Sequence, residues 1–329
     1  MNSVWRCLRV PASWLLGIVG ICLLAACGGG YEAPLRVGVN NWPGYGTLLY
    51  ARDLGAYDGA PVRLVELASS TQVMDALKVG KLDAAGLTLD EVLKLVHDGV
   101  PLSIVWAMDV SAGADALLVR PEITQLSDLV GKRIGVEQTA LGAYMLDAAL
   151  RAGGLKAWDV DVVPMPIDEH VDAFVQRKVD AVVSFEPVIQ QLRSADARIL
   201  FDSRSIPGEI VDVLAVRRDV LECCEDRVRR LLKGQIEAMR RLRETPQHAI
   251  VAMTPRSGLT EDEFQAALDG LIIPDVEANA ALLDGASASL GATVERLADI
   301  MLERGLLVRP PEVSGLLDGR FVRIEGRAR

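Results

Sequence analysis

The side chains with the most chemical potential fall in a few short segments. Asn41, Trp42 and Tyr45 surround the Pro43-Gly44 turn pair. Ser69, Ser70 and Thr71 form a run of three hydroxyls. Thr88 and Asp90 precede an apolar helical pattern, and Thr139 and Leu141 sit just ahead of Gly142. Glu186 stands before Pro187, and Glu209 and Asp212 follow further on. The acids Asp90, Glu186, Glu209 and Asp212 suit amines or other N–H donors, and Trp42 adds a face that attracts a cation. None of these segments holds Lys or Arg. An anion there would depend on backbone N–H groups and hydroxyls. The chemistry on offer is recognition, not bond making. His97, His170 and His248 are far apart, and H-E-x-x-H, G-x-S-x-G, P-loop and G-x-G-x-x-G patterns are missing.

Each of these residues also has a purely structural use. Trp42 and Tyr45 can cover a core beneath their turn. One of Ser69, Ser70 and Thr71 can cap the helix that follows. Thr88 with Glu91 is a T-x-x-E capping box, and an acid at Asp90 suits a first helical turn anyway. Thr139 can cap, and so can Glu186, because Pro187 is a good first helical residue. Glu209 and Asp212 enter a strand, and either can face a ligand.

The elements that would position them alternate between strands and helices, which predicts an α/β fold. Strands are expected at Leu35–Val39, Val62–Leu67 and Leu82–Leu87, with a helix over Thr71–Gly80. Landmarks then recur at a constant shift of 97 residues. Arg36-Val-Gly-Val39 is echoed by Arg133-Ile-Gly-Val136, Asp75-Ala76 by Asp172-Ala173, and Lys81-Leu-Asp-Ala84 by Lys178-Val-Asp-Ala181. Asp115-Ala-Leu-Leu-Val-Arg120 is echoed by Asp212-Val-Leu-Ala-Val-Arg217. Two related lobes follow, and the last pair reads as the two strands of a hinge at Asp115 and Asp212. The crossings are expected near residues 116 and 214, giving lobe one as 35–116 plus 215–329 and lobe two as 117–214. Helices at Asp219–Glu244, Thr260–Leu271 and Thr293–Gly305 are expected to pack on lobe one.

The beginning of the chain bears on compartment. Arg6 and Arg9, an apolar run to Leu24 and then small residues read as a secretory leader over 1–26. Leu24-Ala25-Ala26-Cys27 resembles a bacterial lipobox, with Cys27 as the lipidated residue and 27–34 as a glycine-rich tether. The formal charge of −10, less the positive charges of Arg6 and Arg9, becomes −12. That balance argues against nucleic-acid binding. Of the cysteines, Cys223 and Cys224 remain beyond Cys27. Neighbouring cysteines rarely bridge, so no disulfide is expected, and burial in a helix is expected instead.

In their order and spacing, Asn41–Tyr45, Ala85–Glu91, Val183–Pro187 and Ile206–Asp212 resemble the periplasmic binding proteins of nitrate, sulfonate and taurine ABC importers. Binders of thiamine's pyrimidine precursor belong to the same group. The resemblance spans about residues 35–320. It implies a two-lobed type II "Venus flytrap" fold with a two-strand hinge, and a small-molecule ligand in the interlobe cleft. It also implies an ABC permease and ATPase as partners, a membrane link through the lipid anchor alone, a monomer and no cofactor. Two rivals share the fold. One is a binding protein that reports to a membrane sensor, and the other is an enzyme like the fungal pyrimidine-precursor synthases. The acids favour a donor-bearing ligand such as an aminosulfonate or aminopyrimidine over plain nitrate.

Overall fold

The computed structural model describes residues 33–284 and 289–322. The leader, Cys27 and most of the tether lie outside them. The chain opens with β1 (Leu35–Val39), α1 (Gly46–Asp53), β2 (Val62–Glu66), α2 (Ser70–Lys78), β3 (Ala84–Thr88), α3 (Leu89–His97) and β4 (Leu102–Ser111). A second run holds β5 (Asp115–Val119), β6 (Arg133–Val136), α4 (Ala140–Ala152), β7 (Asp161–Pro164), α5 (His170–Val175), β8 (Ala181–Phe185), α6 (Val188–Ser194) and β9 (Arg198–Asp202). After β10 (Val211–Arg217) come α7 (Arg218–Cys223), α8 (Glu225–Glu244), α9 (Pro246–Ser257), α10 (Glu261–Asp269), β11 (Leu271–Ile272), α11 (Val276–Leu283) and α12 (Ser289–Glu303).

The strands form two sheets, in the orders β11-β4-β10-β3-β1-β2 and β7-β6-β8-β5-β9. Five strands of each correspond one to one, and β5 and β10 are exchanged. Each follows one half of the chain and joins the sheet of the other as an antiparallel strand. Asp115 pairs with Phe185 at the end of β8, and Asp212 pairs with Thr88 at the end of β3. Exchanged strands at a pseudo-twofold join make the fold two-lobed.

The repeated residues are fasteners for this frame. Arg36 holds Asp83 through its backbone N–H at 2.7 Å and Nε at 2.8 Å, and Arg133 holds Asp180 at 3.0 and 3.1 Å in the same way. Arg217 donates to the Leu77 carbonyl, and Arg120 does so to Phe174, its counterpart 97 residues on. These repeated ion pairs tie a strand start to the turn before the neighbouring strand and are structural.

The crossovers lie a few residues before the expected positions. Ala116 is already inside the second sheet and Leu214 inside the first. The chain crosses at 112–114 and 203–210, where irregular backbone can bend and a sheet ladder cannot. The Ser203 hydroxyl meets that of Ser111 at 2.8 Å and accepts the Gly113 N–H at 2.7 Å, so the crossovers are laced together. Gly113 takes φ +124, which a side chain would resist.

The C-terminal helices differ from expectation at two points. The Asp219–Glu244 helix breaks at Cys224, and Leu271 leaves its helix to pair with Ser111 in β11. The break brings Cys223 and Cys224 together as a disulfide, contrary to the expected free thiols, because Cys224 leaves helical geometry at φ −138. Cys223 is exposed and not buried. Apolar packing is continuous from the first sheet through α3 to α4 and the inward face of the second sheet, so the lobes lie against one another. Among the described residues no helix is long and apolar enough to cross a membrane.

Candidate functional site

The carboxyl ends of β1, β3 and β8 converge where the sheets face one another, the position ligands take in open α/β sheets. A small cavity of about 10 Å³, room for about one water, lies there. From the first sheet and its loops it is lined by Asn40, Trp42, Tyr45, Ser70, Thr88 and Asp212. Asp115, Leu141 and Phe185 close it from the other side. Trp42 and Phe185 meet edge to face across the gap, with centroids 5.9 Å apart.

Beneath Trp42 lies Asp109, on β4. Trp42 Nε1 donates to Asp109 Oδ2 at 3.1 Å, and the Tyr45 hydroxyl donates to Asp212 Oδ1. Asp109 and Asp212 are direct neighbours across β4 and β10. Gly44 is obligatory here, since a Cβ on it would stand 1.8 Å from Asp109 Oδ2. Asn40 donates its amide to Ser70 Oγ at 3.1 Å, which leaves Asn40 Oδ1 as a free acceptor.

The site is rich in acceptors without donors. Asn40 Oδ1, Thr88 Oγ1, Asp115 Oδ2 and Asp212 Oδ2 are buried without hydrogen-bond partners. Asp109 Oδ1, Asp90 Oδ2 and Glu186 Oε2 are in the same condition close by. Burial pushes the Asp115 carboxyl up to about 7, with the Ser111 hydroxyl opposing and the charges of Asp90 and Glu186 adding. Burial also raises Asp109, with hydrogen bonds from Trp42 and Asp212 opposing and the charge of Asp115 adding, and it raises Asp212 well above the ordinary value, with the charges of Asp109, Asp115 and Glu91 adding. Glu186 rises to about 7 by burial, against the Gln190 amide that reaches it at 2.6 Å. Among the cavity-lining residues there is no Lys or Arg. Arg304 lies 4.5 Å over the Tyr144 ring and pairs with Asp147 at 2.9 Å.

The structure thus brings Trp42, Tyr45, Ser70, Thr88, Leu141, Asp115 and Asp212 into one cavity. Other candidates have different places. Ser69 caps α2 and Thr139 caps α4, through Gln72 N–H at 3.3 Å and Gly142 N–H at 3.1 Å. Thr71 reaches across the gap to Glu137 at 3.3 Å. Glu91 accepts the Thr88 N–H at 3.1 Å, which completes the T-x-x-E capping box of α3. Asp90 and Glu186 are buried just behind the wall, Glu209 accepts from the Tyr144 hydroxyl, and Asn41 is exposed beside an outer cavity. Sequence reasoning missed Asn40, Phe185 and Asp109 as individual residues. Asp109 did carry a signal, being the single ionisable residue in the apolar Leu102–Ser111 run. Among the described residues no group of three His, Cys, Asp or Glu is placed to hold a metal.

The chain is 26% identical over 183 residues to a taurine-binding periplasmic protein of Escherichia coli, covering 55% of this chain and 57% of that one. It spans little more than half of that relative's length. The alkanesulfonate-binding protein SsuA of Xanthomonas axonopodis pv. citri, bound to MOPS, superposes with a TM-score of 0.71 at 19% identity, over 88% of this chain and 99% of that one. The desulfurization enzyme DSZB superposes with a TM-score of 0.67 at 18% identity, over 91% and 100% of the two chains. The fold alone is therefore shared by binders and an enzyme. A family model describing the NMT1-like family matches residues 29–254, most of the described chain, and the protein belongs to that family.

Proposed function

We propose that this protein is an extracytoplasmic solute-binding protein of an ABC importer that closes its two lobes on a small solute bearing N–H donors. One observation carries the reading: a cavity lined from both lobes by buried oxygens that lack donors. An unpaired buried acceptor costs about 1–3 kcal/mol, so a solute supplying donors recovers that loss on closure. The sulfonate and taurine binders among the similar proteins support the solute class in outline, and the amine of a taurine-like molecule meets the acids here. Contact with both lobes would shift the hinge toward the closed form. Lobe one is residues 35–111 with 211–322, and lobe two is 115–202, on the strand memberships above. Cys27 would tether the mature protein to a membrane, with the permease and ATPase as partners. Binding is favoured over catalysis because the cavity lining contains no Cys, His or Lys.

Calorimetry with taurine, n-butylamine, ethanesulfonate and nitrate tests the reading. Heat and a raised melting temperature are expected with the two amines. Binding of nitrate or ethanesulfonate with no response to either amine would refute it.

A further inference from the structure

Two buried carboxyls do not sit side by side as free anions without compensation. Asp109 and Asp212 oppose each other directly across neighbouring strands, where like charges destabilise. As directly opposed residues of neighbouring strands, they present their carboxyls on the same face of the sheet. Each already accepts one aromatic donor, Trp42 on Asp109 and Tyr45 on Asp212. Each also retains one oxygen with no partner, Asp109 Oδ1 and Asp212 Oδ2. The groups acting on the pair are the acids Asp115 from β5 and Glu91 from α3, the Tyr45 hydroxyl and the Trp42 N–H; none is a cation. A single proton shared by the two carboxyls relieves the repulsion. Two carboxylates held together characteristically share one proton in this way.

Asp212 lines the cavity and Asp109 lies behind it, fully buried. Asp115, with its own unpartnered oxygen, lines the cavity from the opposite lobe. We propose that Asp109 and Asp212 form a proton-sharing pair and that a cationic head group, an ammonium or guanidinium, seats on Asp212 and Asp115 and displaces the shared proton to solvent. The proposal rests on the cleft being the solute site. It narrows the solute class to cations that need no anionic end. The exchange balances: one cation enters and one proton leaves, so the buried charge changes little, which is what makes the site affordable in a low-dielectric interior. The raised carboxyls at Asp109 and Asp212 agree with a proton held near neutral pH. Asp212 touches the solute, whereas Asp109 is a positioning residue that holds the proton.

Calorimetry near pH 8, above the value of about 7 to which Asp115 and Asp109 are raised, in buffers of different ionisation enthalpy counts the protons released per n-butylamine bound. The wild-type protein should release about one. Asp109→Asn keeps the size and the Trp42 hydrogen bond and permanently mimics the protonated partner. It should release none and bind n-butylamine at least about tenfold more weakly, with a melting temperature close to wild type. A structural role alone would not move the proton count. Butylamine binding without proton release, or release unchanged in Asp109→Asn, would overturn the proposal while leaving the cleft reading intact. Failure of n-butylamine and taurine to bind at all would refute the cleft reading, and this proposal with it.

Discussion

At the scale of single residues, burial decides what each acid can do. Asp115 has an ordinary value of 3.8 and is raised to about 7 in the folded protein. The folded chain therefore keeps a proton that the unfolded chain has lost. This contribution to stability is complete below the unfolded value and is lost as pH rises through about 7. Within that window the slope is on the order of 1.4 kcal/mol per pH unit. Melting temperature followed from pH 4 to 8 should fall for the empty protein and fall less in Asp115→Asn. A variant with the same slope would assign the effect elsewhere. The two acids behind and on the cavity wall should also separate. Asp212→Asn is expected to weaken amine binding at least about tenfold, roughly 1.4 kcal/mol. Glu186→Gln, whose partner is the Gln190 amide, is expected to weaken it only a few-fold. Equal losses in titration calorimetry would contradict this ranking.

At the scale of elements, caps and frame are distinct from the site. Ser69 and Thr139 serve their own helices, so Thr139→Ala should cost about 1 kcal/mol in chemical denaturation and leave probe affinity unchanged. An affinity loss without a stability loss would make Thr139 a ligand residue. This is where sequence and structure part company. The 97-residue recurrence was legible because Arg36–Asp83 and Arg133–Asp180 are local fasteners with fixed spacing. The loops after β1, β3 and β8 were legible because strand ends are readable and ligands gather there. Which hydroxyl caps and which faces the cavity was not, since Ser69 and Ser70 differ only by rotation about the chain. Asp109 was hidden because its partner Asp212 is 103 positions away on an exchanged strand, a pairing that periodicity does not reveal. The Cys223–Cys224 disulfide was not expected because adjacent cysteines rarely bridge, and the break of the helix at Cys224 was not legible in the sequence.

At the scale of the whole molecule, polar ties add to the apolar packing between the lobes. Thr71 meets Glu137, and Arg304, just after α12, pairs with Asp147 of α4. Arg304→Ala removes such a tie without touching a cavity-lining residue. It should lower the closed population, raise the radius of gyration in small-angle scattering and weaken probe binding several-fold. Scattering and affinity identical to wild type would show that the lobes close without that tie. The central claim is that donor-bearing solutes are held by the carboxyls between the sheets. A crystal structure with n-butylamine or taurine tests it most directly. The ammonium nitrogen should lie within hydrogen-bond distance of both Asp115 and Asp212, under Trp42. An amine seated instead in the outer cavity beside Met253 and Arg256, with the two carboxyls unoccupied, would contradict the account.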